Sequence, residues 1–182
     1  MGTTRRRTRA AVALAVVPVL WLGACGLDEQ AQQVADGMTT ALSQGDDDEA
    51  ARDLAQCTAE RWVGETGVDR LREDGLVTGE QDVVADNVRA TSEGRRPVSQ
   101  ETARDYALAR VSCLDLDAQA LATRDEFPGA TARQRDDYAD CLKEIDTDLM
   151  EDALTQRTLG NADAPAVGRL ERQVQRCRET LR

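Results

Sequence analysis

Beyond residue 26, apolar residues recur every three or four positions along most of the chain. Leu27, Ala31, Val34, Met38, Ala41 and Leu42 share one face, the spacing of an amphipathic helix. Gly45 stops that segment, and Asp46, Asp47 and Asp48 offer N-caps to the next, where Ala50, Leu54, Cys57 and Trp62 keep the same period. The tri-Asp run also suits the positive end of a helix. A shorter piece with Val68 and Leu71 ends at Gly75, which predicts a left-handed C-terminal residue.

Residues 77–98, with Gly79, Gly94 and Pro97, form the least regular stretch and the best loop, although Val83, Val84 and Val88 support a short helix within it. Ser99 then caps a long segment in which Ala103, Tyr106, Ala107, Arg110, Cys113 and Leu114 share a face, broken at Phe127-Pro128-Gly129. Thr131 followed by Gln134 has the form of a capping box, and Tyr138, Cys141, Leu142 and Ile145 make the next stripe. Leu149, Met150, Ala153 and Leu154 run on to Gly160. After Pro165, the positions Val167, Leu170, Val174, Cys177 and Leu181 give the cleanest helical period of all. The pattern predicts an all-α domain of about six or seven helices.

The stretch before residue 27 is different in kind. Arg5, Arg6, Arg7 and Arg9 precede an apolar run from Ala10 to Leu22, and Leu22-Gly23-Ala24-Cys25 closes it. A basic start, an apolar segment of about a dozen residues and small residues before a cut are the parts of a secretory signal. The run is interrupted by Pro18 and is shorter than the roughly 20 residues that span a bilayer. Leu22-Gly23-Ala24-Cys25 resembles the lipobox of bacterial lipoproteins. The resemblance implies that residues 1–24 are removed, that Cys25 carries a diacylglycerol thioether and that its new amino group is often acylated, for example with palmitate. It places residues 25–182, read as a single exported domain, on the extracytoplasmic face of the cell membrane.

Cys57, Cys113, Cys141 and Cys177 remain, an even number in an exported chain and too widely spaced for the close pairs of structural zinc. Two disulfides are expected, in one of three connectivities. A faint duplication favours Cys57–Cys113 with Cys141–Cys177: Leu54-Ala55-Gln56-Cys57 and Tyr138-Ala139-Asp140-Cys141 each precede helix, glycine, loop and a second cysteine-bearing helix. Two pseudo-repeated helical units, each stapled once, would follow. The competing scheme pairs Cys113 with Cys141 across an antiparallel hairpin turning at Phe127-Pro128.

Charge and chemistry narrow the function. Residues 25–182 carry 19 Lys and Arg against 34 Asp and Glu, a net charge of −15. Such a charge repels anionic lipid headgroups and nucleic acid phosphates, and Trp62, Tyr106, Phe127 and Tyr138 are too few for a base-stacking platform, so nucleic acid is not an expected partner. The chain contains no histidine, which removes the usual general base and every Ser-His or Cys-His nucleophile. No phosphate loop, dinucleotide fingerprint or Cys-x-x-Cys motif is present, so no cofactor is expected.

Two acidic clusters remain: Asp46, Asp47, Asp48 and Glu49, and the group Asp136, Asp140, Glu144, Asp148, Glu151 and Asp152. Their spacing is that of a capped helix start and of a solvated helical stripe, without the glycine and ligand spacing of a calcium loop. Neither is expected to bind metal. The sequence therefore points to a non-enzymatic binding or accessory lipoprotein of the cell envelope with an unidentified protein partner, and residues 77–98 offer a contact loop. The alternative is a small-molecule or ion-binding lipoprotein, with a carboxylate-dependent hydrolase as the more remote reading.

Overall fold

A computed structural model describes residues 27–43, 48–122 and 127–182. Cys25 and the rest of the leader lie outside the described residues, as do Gly45, Asp46 and Asp47. Among the described residues the fold is all-α apart from one two-stranded hairpin.

Helix α1 (Glu29–Ser43) and helix α2 (Glu49–Thr66) form an antiparallel pair. Asp28 starts α1 by accepting a 2.8 Å hydrogen bond from the Ala31 amide. Asp48 does the same for α2 through the Ala50 amide, so the last residue of the tri-Asp run is the one that caps. Helix α3 (Val68–Glu73) ends in a Schellman turn. Gly75 has φ of 69°, and the amides of Gly75 and Leu76 donate to the carbonyls of Arg72 and Leu71.

Residues 77–98 are not an open loop. Strands β1 (Val77–Thr78) and β2 (Asp82–Val83) pair antiparallel, with Val77 opposite Val83, and helix α4 (Ala85–Ser92) follows. Val77 and Val88 are buried. The hairpin is pinned to its neighbours. Gln30 and Arg72 side chains donate to the carbonyls of Glu80 and Gly79, and Val83 lies so close to α1 that a Cβ on Gly37 would sit 2.7 Å from it.

The long segment expected from Ser99 to residue 127 is two helices, α5 (Gln100–Ser112) and α6 (Leu116–Ala122). Ser99 caps α5 as expected, accepting from the Thr102 amide. The break has a local cause. Asp115 Oδ1 accepts from the amides of Asp117 and Ala118, which starts a new helix immediately after Cys113 and Leu114. Helix α7 (Ala132–Lys143) opens with the full Thr131/Gln134 capping box. Helix α8 (Thr147–Thr158), capped by Asp146, and helix α9 (Pro165–Arg178) complete the chain, with a 3₁₀ turn over Glu179–Leu181. The short α3, α4 and α6 account for the excess over six or seven helices.

Both disulfides follow the duplication-based pairing. Cys57 in α2 joins Cys113 at the end of α5, with Cα atoms 5.8 Å apart, and Cys141 in α7 joins Cys177 in α9, with Cα atoms 5.5 Å apart. Each staples helices that feed one of two main cores. The first is built from α1 to α5 around Met38, Trp62, Leu71 and Tyr106; the second, from α6, α7 and α9, holds Tyr138, Leu142, Cys177 and Leu181.

The two halves meet where α8 packs on α5. Val111, Ser112, Thr147 and Met150 line one small cavity, so α8 starts where α5 ends and returns along it. At the far end, the turn after α4 touches the turn after α8. A Cβ on Gly94 would lie 2.3 Å from the Arg157 carbonyl, and Gly94 has φ of 71°, so only glycine fits.

Candidate functional site

Leu27 packs beside Gly64 near the C-terminal end of α2, where a Cβ on Gly64 would stand 3.3 Å from it. The helical domain therefore begins four residues after Cys25, with Asp28 already fixed as a cap. Among the described residues no helix is long and apolar enough to cross a membrane.

A groove of about 410 Å³ lies beside the first disulfide. It lies between the start of α2, the end of α5 and the start of α6. Ala51, Leu54, Leu114 and Ala118 give it apolar walls, and Arg110 and Asp53 stand at its edge. Asp48 and Asp115 also line it, but both are engaged as helix caps. Its volume is in the range that accommodates a small ligand or an inserted side chain. The cysteines there are joined to each other, so the groove can bind but contains no free thiol. Periodicity could not have found it, because it joins residues about 60 positions apart that only the disulfide and the α2–α5 packing bring together.

The acidic clusters are dispersed over the surface. Asp136, Asp140, Glu144, Asp148 and Asp152 are exposed and Glu151 is half-buried. Asp140 lies 3.6 Å from Lys143, which bonds Asp117 at 2.6 Å. The hydrogen bond that it donates to Asp117 holds the Lys143 ammonium above its ordinary range. Among the described residues no group of three or more His, Cys, Asp or Glu side chains converges as a metal site. Tyr106 is shifted as well. Burial beside Trp62 pushes its phenol above the ordinary 10.0, against a smaller opposing pull from Arg110.

In the stretch expected to be a contact loop, the exposed residues are Thr78, Gly79, Glu80 and Asp82 of the hairpin, Asp86 at the start of α4, and Glu93, Arg95 and Pro97 after it. Val77 and Val88 belong to the first core, Val83, Ala85 and Val98 pack against it, and Asn87 donates to the Gly75 carbonyl. In comparison with known proteins, no family model matches the chain, and no curated protein or solved structure is significantly similar to it.

Proposed function

We propose that this is a lipid-anchored protein on the outer face of a bacterial cell membrane, acting as a non-enzymatic binding or accessory factor of the envelope. The observation that carries the reading is Leu22-Gly23-Ala24-Cys25 at the end of a basic and apolar leader. Two disulfides in so short a chain support export, because such bonds persist in oxidising compartments. The short link from Cys25 to α1 keeps the domain at the membrane surface, where two acyl chains hold a protein stably and one holds it only marginally. The accessory role follows from the lack of histidine and from four cysteines committed to disulfides. A second reading, a ligand-binding lipoprotein, is favoured by the apolar groove beside Cys57–Cys113.

Intact mass of protein extracted from membranes tests the anchor. The expected species begins at Cys25 and carries a diacylglycerol group, with or without a further acyl chain, and Cys25→Ser abolishes it. A soluble chain lacking the modification at Cys25 would overturn the reading.

A further inference from the structure

Residues 165–182 reverse the charge of the chain. They contain five Arg against two Glu, whereas residues 25–164 contain 14 Lys and Arg against 32 Asp and Glu. Three of those arginines, Arg169, Arg172 and Arg176, stand at intervals of three and four along α9 and are exposed. Successive residues turn by about 100°, which puts all three within a narrow stripe about 10 Å long. The stripe is centred away from Leu170, Val174 and Cys177, which face the second core, and its Arg176 end lines a cavity with Cys177 and with Glu144 of α7. Among the described residues none of the three arginines has an ion pair, despite the excess of acids; Glu171 is engaged by Arg157 instead. Arg176 suits the negative end of the helix. Arg169, in the first half of α9, has no such local reason, and neighbouring like charges on one face oppose each other.

The position of α9 links this stripe to the end of the domain nearest Cys25. Leu27 enters beside Gly64, and α5 runs back along α2 from Thr102, opposite Trp62, to Cys113, opposite Cys57. The end of α8 sits against Gly94, and the Arg157–Glu171 ion pair holds the first half of α9 there. The arginine stripe thus starts near the end of the molecule where the chain enters and runs along its side.

We propose that Arg169, Arg172 and Arg176 dock on the anionic headgroups of the membrane that carries Cys25, so that the domain lies along the surface with α9 facing it. This rests on the lipid-anchor reading. The net charge of the whole domain does not decide the matter, because at physiological ionic strength charges more than about 8 Å from the surface are screened. The face that touches the membrane sets the sign, and the arginine stripe on α9 is a basic one. Three exposed arginines without an apolar wedge are too weak to recruit a free protein. They are sufficient to orient one already tethered at high local concentration.

The test uses the full lipidated protein in vesicles of phosphatidylcholine alone or mixed with phosphatidylglycerol. A fluorophore enters through an unnatural residue at Gln175, and headgroup nitroxides report its proximity. The expected result is quenching at least roughly twofold stronger in the anionic vesicles. It disappears in Arg169→Gln/Arg172→Gln/Arg176→Gln and in about 1 M salt, where the Debye length falls to about 3 Å, while the protein stays on the vesicles throughout. Helical circular dichroism of the variant verifies that α9 is intact. A protein that stays bound but is equally quenched in both vesicle types overturns the proposal, and a stripe-dependent acidic protein partner without quenching does the same. Release from every vesicle type overturns the anchor itself.

Discussion

Replacing Cys57 and Cys113 by Ala lowers the stability of the domain by about 4 kcal/mol, and replacing Cys141 and Cys177 does nearly as much. Removing both pairs leaves the chain largely unfolded at physiological temperature. The magnitude follows from the size of the closed loops, with separations of 56 and 36 residues, which the unfolded chain can no longer explore freely. Total stabilities of single domains are about 5–15 kcal/mol, so two such terms together rival the whole. Each bond also holds helices at the border of a core: Cys141 packs against the second cluster and Cys177 belongs to it. Urea titration followed by the fluorescence of Trp62, the sole tryptophan after residue 24, measures the loss. Unchanged midpoints after removal of either bond would show that the helices pack well enough without it.

Trp62→Ala is the most damaging single substitution expected in the first core, at about 3–5 kcal/mol. The side chain is fully buried, its ring centroid lies 4.7 Å from that of Tyr106, and Nε1 donates a 3.1 Å hydrogen bond to the Thr102 carbonyl. Truncation leaves a cavity and removes the indole's hydrogen bond to the Thr102 carbonyl at the α2–α5 contact. Trp62→Phe separates the two effects, retaining most of the apolar volume but losing the hydrogen bond, which is worth about 1–2 kcal/mol when its partner stays buried. Denaturation followed by circular dichroism distinguishes them. A loss below about 1 kcal/mol for the alanine variant would mean that the core collapses around the gap.

The sequence is most legible where local chemistry acts alone. Thr131 with Gln134, Ser99, and the glycines after α3 and α8 announce helix ends through caps that need only a few neighbouring residues. The break between α5 and α6 escapes such reading because neither Gly nor Pro marks it. Its signal is Asp115, a capping residue hidden inside an apolar period that continues through Leu114 and Leu116. The hairpin is invisible for a different reason. Strands of two residues contain no alternation to detect, and their stability comes from Gly37, Gln30 and Arg72, which are distant in sequence or belong to other elements.

Sequence favours one disulfide pairing without fixing it, since both schemes put cysteines on core faces. What decides between them is the path of the chain. Helix α5 runs antiparallel to α2 and brings Cys113 to Cys57, while α8 separates α7 from α9 in sequence and returns the chain so that Cys177 meets Cys141. The groove depends on the same long-range packing. The arginine stripe, in contrast, is written in the spacing of α9; only the structure tells that no described acid neutralises it.

A disulfide-stapled helical domain that an acylated Cys25 would hold within a few residues of the membrane fits a role in contact with other envelope components. The direct test is photocross-linking in living cells, with a photoreactive residue placed at Asp53 on the groove edge and at Glu93 after α4, followed by mass spectrometry of the attached proteins. The account predicts one reproducible envelope protein, captured from at least one position and lost when Cys25 is changed to Ser. A membrane-bound protein that captures no specific partner from either position would contradict it.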